Sequence, residues 1–265
     1  MKILFTKYHA NGNDFILVMD DVFPEKFRVP KIIKRLCHRR FGIGADGLFI
    51  ISSSKKYDFF LDYYNADGSW ETLCGNGSRC AVHFMYKRGL VATDMIFGAG
   101  DGEHRAKILK NGTILMSMNP PEYKSDKIAI EGLSGFYIDS GAKHFVCESA
   151  IMDDEYVYRV GKKIRYSDVF QPHGINVNFY CQNKNNFIEI KTYEKGVEQI
   201  MLSCASGSTA VVFHLSQINT ISSPAATQSA GGKLIVTFDE KWLSPWVKGP
   251  VEFLFTGEFD ADVLI

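Results

Sequence analysis

The sequence predicts an α+β fold of two pseudo-symmetric halves, each a curved, mostly antiparallel sheet around a central helix. Three observations predict it. Short apolar runs of strand length, bounded by Gly, Asn, Asp or Pro, dominate the chain. Helical patterns are few. A cysteine-bearing turn of small residues is also written twice, "CGNGSRCAV" from Cys74 and "CASGSTAVV" from Cys204, 130 positions apart. The echo extends beyond the turns. Gly12 in "ANGNDF" faces Gly141 in "DSGAKHF", and Tyr64 ahead of "NADG" faces Tyr193 ahead of "EKGV", both at an offset of 129. Nearly one period across three segments implies a duplicated unit. A chain of 265 residues that is 46% hydrophobic can fill two cores.

In the first half, strand patterns fall at Lys2–Tyr8, Phe15–Met19, Gly47–Ser52, Tyr57–Asn65, Asp94–Gly100 and His104–Lys110. The Asn-Gly pair within Leu109–Ile114 is a hairpin signal. Pro30–Arg40 opens on a first-turn Pro and closes on basic residues, as a helix does. Cys74–Gly89 ends in Lys-Arg-Gly, a stop signal of the same kind. Two prolines in "MNPPEY", Met118–Tyr123, place the boundary, giving halves 1–117 and 118–251 with 252–265 returning to the first. The second half repeats the strand pattern at Gly135–Gly141, Lys143–Ser149, Asn176–Gln182, "NFIEIKTY" and Lys233–Phe238. Its helices are expected at Ser206–Gln217 and, weakly, at Tyr166–Phe170.

Charge and chain chemistry exclude several function classes. Thirty basic residues balance thirty acidic ones and are scattered, which argues against a nucleic-acid partner. No apolar stretch has bilayer length and the N-terminus lacks the pattern of a signal peptide, so the expectation is a cytoplasmic protein with reduced thiols and no membrane partner. Cys37, Cys80, Cys147 and Cys181 lie inside helical or strand patterns and read as small buried hydrophobes. Cys74, Cys80 and His83 match no common zinc spacing, and "GIGADG" at Gly42–Gly47 lacks the Lys and Ser/Thr of a phosphate loop, so neither metal nor cofactor is expected.

A cysteine that opens a helix sits against backbone N–H groups without helical partners and the positive end of the dipole, both of which favour thiolate. The same groups can hold a carboxylate. Two such turns suit inversion at a carbon α to a carboxylate. One thiolate removes the α-proton while a thiol on the opposite face delivers another, with the carboxylate N–H contacts stabilising the carbanion-like transition state.

The motifs "HANGNDF", "RRFGIGADGLF", "YNADGSWETLCGNGSRC", "GINVNF", "YEKGV", "SCASGS", "GGKLIV" and "VKGPVEFLFTGEF" resemble those of the diaminopimelate epimerase family over essentially the whole chain. The resemblance implies a cofactor-independent enzyme that interconverts LL- and meso-diaminopimelate, commonly as a homodimer. It implies Cys74 and Cys204 as the acid/base pair, with His144 and Glu194 assisting proton handling. Asn13, Asn65 and Asn176 are implied as contacts to the substrate's polar groups, and Gly75, Asn76, Ala205 and Ser206 as donors of backbone N–H groups to the α-carboxylate. The chain departs from the family pattern at Lys195, where an arginine is usual, at Ala142, where many members carry Asn, and at Ala205, where Gly is usual. Lys keeps the charge of Arg without its planar fork. These positions leave a racemase for another amino acid, or a binding homologue, as the alternative readings.

Overall fold

The computed structural model describes residues 1–182 and 187–261; the end of the expected returning segment, 262–265, lies outside them. The chain divides into two compact units, Met1–Met116 with the described part of Gly249–Ile265, and Ser117–Lys248.

In the first unit the strands are β1 (Lys2–Ala10), β2 (Asn13–Met19), β3 (Gly47–Ser52), β4 (Phe59–Asn65), β5 (Trp70–Glu71), β6 (Asp94–Ala99), β7 (Gly102–Ile108) and β8 (Ile114–Ser117). β1 and β2 form a hairpin around Asn11 and Gly12, both at positive φ, as a two-residue turn of matching twist demands. β2 lies parallel to β3, β3 antiparallel to β4, and β4 parallel to β6, so each half contains more parallel pairing than the sequence pattern predicts. The Asn-Gly signal closes the β7–β8 hairpin, with Gly112 at φ 80.

The second unit follows the same plan with β9 (Glu122–Tyr123), β10 (Ile128–Ile130), β11 (Leu133–Asp139), β12 (Lys143–Glu148), β13 (Asn176–Gln182), β14 (Ile188–Glu194), β15 (Gln199–Met201), β16 (Ala225–Ser229), β17 (Gly232–Thr237) and β18 (Trp246–Gly249). β12 is parallel to β13, β13 antiparallel to β14, and β14 parallel to β16, repeating the first unit strand for strand. The last strand, β19 (Glu252–Asp260), pairs with β1.

Four α-helices, α1 (Pro30–Cys37), α2 (Gly75–Lys87), α3 (Asp154–Arg165) and α4 (Ala205–Gln217), complete the described residues. α2 and α4 are the central helices: ten of thirteen residues are buried in each. A helix buried on nearly every side needs small residues where strands press close. A Cβ on Gly77 would meet the Phe49 ring at 2.0 Å, and one on Gly207 would meet Asn178 Oδ1 at 2.3 Å. α1 and α3 are amphipathic flanking helices that bury only Ile33, Leu36 and Cys37, and Val157, Val160, Gly161 and Ile164. The helix expected to run to Arg40 ends at Cys37, because His38 turns to extended backbone and its Nδ1 accepts from the Arg40 and Phe41 amides. α3 has no counterpart in the sequence reading. The expected helix at Tyr166–Phe170 shrinks to one 3₁₀ turn at Asp168–Phe170. No helix among the described residues is long and apolar enough to cross a membrane.

Candidate active site at two cysteine-capped helices

Each central helix begins one residue after a cysteine in extended conformation, Cys74 at φ −130, ψ 108 and Cys204 at φ −139, ψ 114. In both, the first helical hydrogen bond is accepted by the cysteine carbonyl, from Ser78 at 2.8 Å and from Ser208 at 3.0 Å. The amides of Gly75 and Asn76, and of Ala205 and Ser206, therefore precede the helical ladder and face an anion-favouring helix end. Ala205 is buried at the first helical position and is absent from the residues at positive φ, so the turn does not need the Gly usual there. Both cysteines are half-buried, whereas Cys37, Cys80 and Cys147 are buried. Burial pushes the Cys37 thiol up to about 12 and drives those of Cys80 and Cys147 higher still. Those three are inert by environment. Cys181, expected to be buried, is half-buried.

Beneath the Cys74 turn runs a chain of amides. Arg79 Nη2 donates to Asn76 Oδ1 (2.8 Å) and Asn11 Oδ1 (3.3 Å), and Nη1 donates to the Gly75 carbonyl (3.2 Å). Asn76 Nδ2 donates to Asn13 Oδ1 (3.1 Å), and Asn13 Nδ2 donates to Asp46 Oδ2 (2.7 Å). Asp46 is held in turn by Arg39, which also forks onto Asp14. Every amide orientation in the chain is thus fixed by a group that can only donate or only accept. Asn65 ends β4 in register with Gly47, itself opposite Phe15, which puts Asn65 at the same strand end as Asn13. Tyr63 Oη donates to Asn65 Oδ1 (2.6 Å), and Asn65 Nδ2 donates to Ser69 Oγ (3.1 Å).

The Cys204 turn rests on a different chemistry. Ser206 Oγ lies 3.5 Å from Cys204 Sγ and 2.9 Å from His144 Nε2, and the Gly207 amide donates to Sγ at 3.4 Å. Thr192 Oγ1 donates to Asn178 Oδ1 (2.8 Å), and Asn178 Nδ2 donates to His144 Nδ1 (2.8 Å). The direction is forced: His144 Nδ1 accepts, so Nε2 carries the proton and donates to Ser206, leaving the hydroxyl hydrogen for the sulfur. His144 is wholly buried, and burial pulls its pKa from 6.5 down to about 3. It is a neutral donor that reaches Cys204 through Ser206. On the neighbouring strand, Asn176 sits opposite His144 and its Oδ1 accepts from the Lys195 amide (2.8 Å), pinning the turn that follows Glu194. Glu194 ends β14, half-buried and opposite Gln199.

The sequence reading names Cys74, Asn76, Asn13, Cys204, Ser206 and His144, and the structure gathers each set at its helix start. It misses Arg79, Asn11 and Asp46 in the first unit and Asn178, Thr192 and the Ser206 hydroxyl in the second. One signal was available: Asn178 is a polar residue inside an otherwise apolar run, "VNFYC".

Comparison with known proteins follows the same lines. The family model described as diaminopimelate epimerase matches residues 5–124. The diaminopimelate epimerase of Flavobacterium psychrophilum is 37% identical over 94% of this chain and 97% of its own length. That of Aquifex aeolicus is 32% identical over 98% and 99%. Among solved structures, a hydroxyproline epimerase from Agrobacterium vitis superposes with a TM-score of 0.82 at 12% identity, covering 98% of this chain and 93% of that one. A phenazine biosynthesis protein of the PhzF family from Bacillus anthracis gives a TM-score of 0.73 at 15% identity, over 98% and 99%. At these identities the solved structures share the fold.

Proposed function

Because the chain belongs to the diaminopimelate epimerase family, we propose that it inverts the α-carbon of LL-diaminopimelate to the meso isomer by a two-thiol acid/base reaction, in lysine and peptidoglycan precursor synthesis. The observation that carries the reading is the pair of half-buried cysteines, each capping a buried helix in units of matching topology. In the proposed reaction one sulfur, as thiolate, takes the α-proton from one face, and the other, as thiol, gives a proton to the opposite face. Reversal exchanges the roles. Carboxylate binding at the helix starts stabilises the charge that develops at the α-carbon. His144, through Ser206, directs a hydroxyl hydrogen at Cys204 and so favours its thiolate form. No cofactor enters this scheme.

Lys195 and Ala142, which replace the family's usual Arg and Asn, favour one alternative, a racemase acting on another amino acid. Chiral chromatography of a panel of L-amino acids and LL-diaminopimelate after incubation with reduced protein separates the two. Conversion of LL-diaminopimelate above all others supports the proposal, and conversion of a different amino acid with none of LL-diaminopimelate refutes it.

We also propose a cytoplasmic homodimer. Leu4 on β1 and Phe253, Leu254 and Phe255 on β19 are exposed apolar residues on paired strands, and exposed apolar side chains along one strand pair favour cover by a second copy. Analytical ultracentrifugation of wild type and Phe255→Arg tests this, with a dimer expected for the first and a shift toward monomer for the second.

A further inference from the structure

We infer that Arg165 is a positioning residue which, through Glu198, locks the turn that carries Glu194 and Lys195 against the segment that carries Asn176, and so sets how tightly the second unit holds substrate. This rests on the diaminopimelate reading above and deepens it. Arg165 closes α3, whose last turn holds three cations, Lys162, Lys163 and Arg165. The ordinary role of such cations is to face solvent and offset the helix dipole. Lys162 and Lys163 do so: both are exposed, and Lys163 bonds Glu131. Arg165 instead folds inward until its side chain is 13% exposed. Its guanidinium lies 4.9 Å from the Tyr166 ring centroid, and Nη2 stands 3.3 Å from Glu198 Oε1.

Glu198 uses both carboxylate oxygens to close the turn. Oε1 also accepts from the Gly196 amide (3.1 Å), Oε2 accepts from Tyr193 Oη (3.3 Å), and the Glu198 amide donates to the Glu194 carbonyl (2.9 Å). Glu198 stands at φ 58, a left-handed conformation that a residue with a side chain holds only where its surroundings fix it. Arg165, with the Tyr166 hydroxyl beside it, fixes it from outside the turn. The guanidinium also meets the loop before β13. Gly174 sits at φ 62, and a Cβ there would collide with Arg165 Nη1. Two residues on, Asn176 opens β13, and its Oδ1 accepts from the Lys195 amide. One side chain therefore braces both segments that bear the expected contacts, Asn176 on one and Glu194 with Lys195 on the other.

The matching turn of the first unit closes on itself. Tyr64 faces Tyr193 in the repeat, so Asn65–Ser69 corresponds to Glu194–Glu198. There Asp67 Oδ1 accepts from both the amide and the hydroxyl of Ser69, and Asn65 Nδ2 donates to Ser69 Oγ. The second-unit turn also carries a lysine where arginine is usual in the family, and that raises the demand on its backbone. A guanidinium holds a carboxylate in register by two parallel bonds, whereas an ammonium is a point charge on a flexible stem. Diaminopimelate has a second carboxylate beyond the one at the reacting carbon, and Lys195 offers it that point charge. The register then comes from the peptide that carries Lys195, which Arg165 fixes through Glu198.

The test pairs amide hydrogen exchange without substrate, read by peptide mass spectrometry, with steady-state kinetics on LL-diaminopimelate, for wild type, Arg165→Met, Arg165→Lys and Glu198→Gln. In Arg165→Met the peptide spanning Glu194–Glu198 should exchange about tenfold faster or more, with the sheet of the second unit unchanged. KM should rise about tenfold while kcat changes by less than about twofold, the pattern of lost binding rather than lost chemistry. Arg165→Lys, which keeps the charge, should recover part of both effects. A general loss of structure would instead raise exchange throughout the unit and lower kcat through the active fraction at unchanged KM. Unchanged exchange at Glu194–Glu198 in a folded Arg165→Met protein overturns the inference, and so does faster exchange there with unchanged KM. If Arg165→Met does not fold, Glu198→Gln, which keeps the shape and removes the charge that Arg165 pairs with, decides by the same two readings. Faster local exchange in a variant of a protein that leaves LL-diaminopimelate unconverted would refute the substrate and leave the positioning role standing. Turnover of LL-diaminopimelate with local exchange unmoved would do the reverse.

Discussion

Acidification should weaken this fold chiefly through His144, the most deeply buried of its imidazoles. Its imidazole is wholly buried, accepts from Asn178 and donates to Ser206, and is held neutral down to about pH 3 against an ordinary value of 6.5. Between those two pH values the unfolded chain takes up a proton that the folded chain refuses. The unfolded state therefore binds more protons, and stability falls as pH falls. Each pH unit inside the window costs about 1.4 kcal/mol, so moving from pH 7 to pH 5, about 1.5 units below 6.5, removes about 2 kcal/mol. Burial also lowers the pKa of His83 and His214, which steepens the wild-type slope in the same direction. Comparison with His144→Gln cancels those contributions, since Gln can still meet Asn178 and Ser206 without titrating. Urea denaturation of both proteins at pH 7, 6 and 5 gives the difference, which should change by about 2 kcal/mol in favour of the variant. A difference that stays constant within about 0.5 kcal/mol, inside the scatter expected of such comparisons, refutes the assignment of a neutral, proton-refusing His144.

The relay and the close helix contacts give further outcomes. Ser206→Ala removes the hydroxyl between His144 Nε2 and Cys204 Sγ, and should lower kcat about tenfold or more with little change in KM, checked by steady-state kinetics. Thr192→Val leaves Asn178 Oδ1 without its donor and should cost about 1–3 kcal/mol in denaturant titration, as a stranded buried acceptor does. Gly207→Ala forces a Cβ to within 2.3 Å of Asn178 Oδ1, so Tm should drop by an amount matching roughly 1–3 kcal/mol of overpacking, with activity falling as the relay is pushed aside.

The cysteine turns were legible because their chemistry is local. A cysteine, then small residues, then an apolar run is a helix start whatever surrounds it, and the repeat at one period exposed the pairing of units. What serves those cysteines was not legible. His144 and Ser206 meet across 62 positions, and only the parallel register of β12 and β13 brings His144 beside the strand that carries Asn178. Arg79 in sequence is one more basic residue on a helix, and its burial depends on the sheet closing around α2. α3 went unread because "DEYVYRVGKKIR" is mostly polar, although an Asp153 cap bonded to the Tyr156 amide, an acidic first turn and a basic last turn all mark it. The helix stop after Cys37 was hidden in the side chain of His38, which competes for backbone donors that a longer helix would use internally.

The most direct test of the two-thiol account is proton NMR of LL-diaminopimelate in D₂O with reduced protein, beside Cys74→Ala and Cys204→Ala. The account predicts loss of the α-proton signal with appearance of the meso isomer, and neither outcome in either variant. Formation of the meso isomer that survives removal of one cysteine would contradict it.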